Sequence, residues 1–202
     1  MRPVRRTAAA LLALVLAAQA IPARATTIVQ RDIRDVADGA GLVVEGTVTA
    51  VAAGPVMQGR AIATTVTIAI EEVLKGSWSA ETLELQYLGG RYEGRRMDVG
   101  AMRIPAPGEH GIYFIRDPHR RSVHPLKGWE QGHFVVVTGG DGGEETVRAG
   151  DGRALVELPA DAAPRTPGQA PGNRVAAGLR TADSALERPL PAAAFRDWIR
   201  TR

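Results

Sequence analysis

Between residues 32 and 138 the spacing of apolar positions changes once. Ile33, Val36, Ala37 and Ala40 fall at i, i+3, i+4 and i+7, which predicts a short helix over residues 32–41. Asp32 can cap its start, and Gly39 or Gly41 can end it. From Leu42 the period is two. Leu42, Val44, Gly46, Val48 and Ala50 share one face of a predicted strand over residues 42–51, with Glu45, Thr47 and Thr49 on the other. Residues 53–60 hold Gly54, Pro55 and Gly59 and predict a loop. The longest strand is predicted over residues 62–73, with Val66, Ile68 and Ile70 inward and Thr65, Thr67 and Glu71 outward. Glu71 and Glu72, as strand neighbours, are expected on opposite sides. After a turn at Lys75-Gly76, residues 82–87 alternate again and place Leu83, Leu85 and Tyr87 together.

Further short strands are predicted around residues 97–99, over 111–116 and over 133–138. Residues 146–148 are expected to pair back across the turn at residues 139–143. Short strands at this spacing, with glycine-rich turns and little helix between them, predict a mainly β, antiparallel sandwich or barrel. From Pro159 the composition shifts to Pro, Ala, Asp, Arg and Thr, and no apolar period survives, so residues 159–191 are expected to form a flexible linker. Residues 192–202 close the chain as a short helix, with Phe195 and Ile199 one turn apart and Trp198 beside them.

The amino terminus changes the charge picture. Arg2, Arg5 and Arg6 precede an apolar run over residues 8–18, and Ala23-Arg24-Ala25 offers a small-x-small cleavage site. The run is shorter than the 18 or so residues a membrane span needs. Residues 1–25 are therefore expected to be a signal peptide, leaving a mature domain over residues 26–158 in the periplasm or outside the cell. An earlier cut after Ala20 also fits the pattern. The whole chain carries 25 Lys and Arg against 22 Asp and Glu. Removal of residues 1–25 takes away four arginines and no acid, so the remainder has a net charge of −1. That balance speaks against a nucleic-acid partner, which calls for a basic patch. No membrane span is expected after cleavage. The chain has no cysteine, which removes disulfides, thiol catalysis and thiolate metal sites.

The chemistry-bearing residues are few. The histidines are His110, His119, His124 and His133. His119, His124 and His133 together are a candidate metal set for a hydrolase, but the chain lacks HExxH and any helical i, i+4 histidine pair. No serine lies in G-x-S-x-G, and no phosphate or dinucleotide loop is present, so no catalytic residue and no cofactor is predicted. Trp129, flanked by Gly128 and Gly132, and Trp78, just after the Lys75-Gly76 turn, are candidate contacts to a protein partner or a carbohydrate. A tryptophan at Trp129 can equally close the end of a barrel.

Residues 40–48 (AGLVVEGTV), Thr65-Val66-Thr67-Ile68 leading to Glu72-Val73-Leu74-Lys75-Gly76, and Gly108-Glu109 before Ile112-Tyr113-Phe114-Ile115 resemble a family of secreted bacterial proteins. The same arrangement is distantly similar to the OB-like barrel of netrin-like domains and tissue inhibitors of metalloproteinases. The resemblance implies an antiparallel OB-like β-barrel with a short amino-terminal helix, and a protein-binding role. In those inhibitors an amino-terminal cysteine reaches the protease metal. Thr26 and Thr27 stand at the expected mature start here, so they become candidate contact residues without that chemistry. The expected function is a non-enzymatic exported binding module that contacts or inhibits an exported protease or other envelope protein.

Overall fold

The computed structural model describes residues 29–100, 102–120, 122–139, 143–160, 164 and 174–202. The expected signal peptide, Thr26 and Thr27 lie outside the described residues. Helix α1 (Ile33–Asp38) is followed by strands β1 (Leu42–Val56), β2 (Ala61–Lys75), β3 (Thr82–Leu88), β4 (Gly90–Tyr92) and β5 (Arg95–Met97). Then come β6 (His110–Ile115), β7 (His133–Thr138), β8 (Glu145–Ala149), β9 (Leu155–Glu157), β10 (Arg180–Thr181) and helix α2 (Ala192–Arg200). The main sheet is antiparallel and six-stranded, in the order β3-β2-β1-β6-β7-β8. β3 and β8 are its two edges, and no pairing among the described residues closes it into a barrel.

Alternation puts two separate cores on the two faces. Val43, Ile112, Phe114, Phe134 and Val136 point to one face, where α1 and α2 cover them. Leu42, Val44, Val66, Ile68, Tyr113 and Ile115 point to the other, joined by Leu83, Leu85 and Tyr87 of β3. Register shifts between β1 and β2 occur at three points, and such irregularities bend a sheet around the face it must bury. Gly46 sits at one of them. A Cβ there would lie 2.1 Å from the Ala69 carbonyl oxygen, so only glycine lets the strands approach.

That same shift pairs Glu45 with Glu72 and Gly46 with Ile70, leaving Glu71 unopposed. The extra residue cancels the expected alternation. Glu71 lies 3.4 Å from His110 and Glu72 accepts from Arg200, so both turn toward the side that carries α2. The predicted loop over residues 53–60 also shortens. β1 continues through Gly54 and Pro55, because β6 pairs only with residues 42–47 and this part of β1 needs no ladder on its outer side.

The α1 stripe is buried as its spacing predicts, and the Asp32 side chain accepts from the Arg34 amide at 2.9 Å. α2 docks through Ala192, Phe195 and Ile199, with Phe195 edge-on to Phe134 at 4.8 Å between ring centres. Ion pairs fix its register. Arg196 donates twice to Glu45, at 2.7 and 2.6 Å, and once to Glu145 at 2.6 Å. Burial pushes the Glu45 carboxyl up, but Arg196 and His110 outweigh it and hold it at about 2. Within the segment expected to be a linker, residues 174–191 differ from the expectation. Val175, Ala176 and Ala177 are buried, and Leu190 donates to Leu155. Val175 and Ala176 belong to the same core as the α1 stripe, which no local period could announce.

Candidate functional site

β3 has a neighbour on one side only. Ile70 donates to the Glu81 carbonyl at 2.8 Å and Gly89 donates to the Ile62 carbonyl at 2.7 Å. The odd-numbered residues of β3 therefore turn their backbone groups to β2, and the even-numbered ones turn theirs outward. At one end the Leu88 amide meets the Val123 carbonyl at 3.5 Å. At the other the Trp78 indole donates to the Thr82 carbonyl at 3.0 Å. Between them, the outward amides and carbonyls of Glu84 and Gln86 meet no partner among the described residues.

Residues 117–120 and 122–125 line this edge together with β3, and hollows that share lining residues lie along it. The first, about 430 Å³, lies between Trp78 and His119. The second, about 220 Å³, is lined by Glu84 and Gln86 on one side and Asp117, His119 and Arg120 on the other. The third, about 420 Å³, is lined by Val56, Met57, Leu88 and Val123. Met57 and Val123 are 68% and 53% exposed, two of the few large apolar side chains the fold leaves in water. The turn that presents Met57 is strained. Gly59 donates back to Val56 at 3.1 Å, and Met57 and Gln58 between them have φ of 51° and 57°. Non-glycine residues at such angles cost about 1 kcal/mol or more each, and they cluster at functional sites.

The two tryptophans have different places. Trp78 is half-buried, tilted on His119 at 5.8 Å, and lines the first hollow. Trp129 stacks on His124 at 5.0 Å, and His124 lies edge-on to the buried Tyr87. Its φ of 63° follows Gly128 at 74°, two consecutive residues in the left-handed region.

The histidine set does not assemble. His119 is exposed on the groove, whereas His124 and His133 are buried, and no group of three His, Asp or Glu among the described residues can hold a metal. His124 accepts from the Leu126 amide through Nδ1 at 3.1 Å, and burial with the nearby His133 and Arg116 pushes it down to about 3. His133 is also pushed down, by burial first. Arg103 approaches its Nδ1 at 2.8 Å and Glu109 lies 2.8 Å from its Nε2, which assigns a neutral imidazole that donates from Nε2. Burial raises Glu109, but His133 and Arg103 hold it at about 2. Tyr113 stacks on His133 and Tyr87 lies edge-on to His124, and their buried hydroxyls have no partner among the described residues.

Compared with known families, curated proteins and solved structures, the chain matches none. No helix among the described residues is long and apolar enough to cross a membrane.

Of the residues along this groove, sequence reasoning singled out Trp78, as a partner contact, and His119, as a metal candidate, but not Met57, Glu84, Gln86 or Val123. The signal present for them was a bulky apolar residue in a turn, Met57 beside Gln58-Gly59, where asparagine or glycine is the usual occupant.

Proposed function

We propose that this chain is a non-enzymatic binding module that works outside the cytoplasm and engages another exported protein through the groove along β3. The observation that carries the proposal is the open β3 edge flanked by exposed Met57 and Val123. Export rests on the basic, apolar and small-residue order of residues 1–25. The OB-like relation belongs to the same proposal. Its support is an antiparallel sheet that bends around a second core, in the way partly open barrels of that class do. Contact with, or inhibition of, an exported protease follows from the resemblance to protease-inhibitor domains.

The test is a crosslinking pull-down from envelope and supernatant extracts of the native host, with the wild-type chain and a Met57→Glu variant as parallel baits. The expected result is one dominant exported protein captured by wild type and lost with Met57→Glu. Equal capture by both baits refutes the groove as the binding surface. A captured protease is then assayed for inhibition.

A further inference from the structure

We infer that the β3 groove takes a single extended segment of the partner, which adds to the sheet as a short seventh strand and seats one large apolar side chain against Met57, Leu88 and Val123. The inference rests on the binding-module reading and names its occupant.

The backbone states the case first. Glu84 and Gln86 present outward donors and acceptors two residues apart, about 7 Å along the strand. An extended chain repeats its own amides and carbonyls at that spacing, and no other common ligand does. The protein has already built the two ends of such a ladder from its own groups. Val123 meets the Leu88 amide and Trp78 meets the Thr82 carbonyl. The rungs left open are those of Glu84 and Gln86, which face the hollow of about 220 Å³ between β3 and residues 117–120.

The ends also decide against a second copy of this chain. Antiparallel pairing of β3 with itself about Leu85 puts each Leu88 opposite the other Thr82. It therefore needs the Leu88 amide and Thr82 carbonyl on both strands. Both groups are taken. A short segment from a different protein needs only the free pair.

Side chains set the specificity. The middle of the groove mixes signs, with Glu84 and Asp117 against Arg120, which favours neutral polar residues on the segment. The third hollow is apolar, and its volume of about 420 Å³ accepts a leucine or an aromatic residue. The preferred segment is thus neutral and extended, with one large apolar residue toward the Met57 end.

The probe is a fluorescein-labelled, amidated heptapeptide of threonines with one leucine, and a twin N-methylated on alternate amides. Binding to the purified chain is read by fluorescence anisotropy. The expected result is saturable binding, weakened tenfold or more by N-methylation and by Val123→Glu. Val123 is exposed, and an unchanged thermal midpoint checks that the variant is folded. Equal binding of the N-methylated twin overturns strand addition. Absence of peptide binding, while capture of a partner from extracts still depends on Met57, overturns strand addition and leaves the module reading standing. Absence of both overturns the two together. A dimer that forms in sedimentation and dissociates on peptide addition overturns the choice of occupant.

Discussion

Arg196→Ala removes the cation that seats α2 on β1. In the native chain the Glu45 side chain is 4% exposed and that of Arg196 is 19% exposed, so the pair is largely shielded from water. Deleting one partner of a buried pair costs about 3–5 kcal/mol, because the other charge stays buried. Linkage gives a compatible figure. A carboxyl held at about 2 instead of its ordinary 4.5 contributes about 3 kcal/mol at neutral pH. The low value depends first on Arg196 and then on His110, so the substitution should forfeit most of it. The folded value is depressed, so the contribution is complete above about 4.5 and fades as pH falls toward about 2. Urea unfolding at pH 7 should therefore show a loss of about 3 kcal/mol for Arg196→Ala. The loss should shrink by pH 3. Glu45→Gln combined with Arg196→Ala should cost less than the two separate losses added together. A penalty below about 1 kcal/mol at pH 7, or one unchanged at pH 3, refutes the assignment of the ion pair as the anchor of α2.

Three further outcomes follow from other sites. Gly46→Ala should lower stability by about 2 kcal/mol or more in thermal unfolding, because the new methyl group meets backbone rather than a movable side chain. A neutral result would show that the β1–β2 register shift can slide. In an NMR titration His124 should keep one shift from pH 5 to 8, whereas His110, bonded to Glu45 and facing Glu71 and Glu145, should titrate above 6.5. The raised His110 value means its stabilising contribution is complete below 6.5 and is lost as pH rises through the folded value. Tyr113→Phe removes a buried hydroxyl that has no partner among the described residues, so stability should hold or rise by up to about 1 kcal/mol. A loss of more than about 1 kcal/mol would reveal an internal water that bonds it.

Local pattern carried the helices and the strand interiors. Ile33, Val36, Ala37 and Ala40 are buried at the helical spacing, and Leu83, Leu85 and Tyr87 are buried at the strand spacing. What escaped were features set by residues far apart in the chain. Pro55 reads as part of a loop with Gly54 and Gly59, yet it stays in β1 because that strand's second neighbour ends at residue 47, and sequence holds no record of which side of a strand is open. Glu71 changed sides because of a bulge fixed by Gly46, its close neighbour across the sheet but 25 positions away in sequence. Val175 and Ala176 sit in a stretch without any period, yet they share a core with Ile33, Val36 and Ala37 of α1. The groove depends on strand order, which made β3 an edge. The histidines were visible as residues, but their burial decided their chemistry.

The pairing of Glu45 with Arg196 spans 151 positions of the chain. A nascent or translocating chain therefore lacks the α2 part of the cover on that face of β1 until residues 192–200 have emerged. Contacts of such separation slow folding, since the chain must close a long loop before they are rewarded. For a protein proposed to work outside the cytoplasm, that delay is useful. The first strand cannot lock into its final core while the far end of the chain is still on the wrong side.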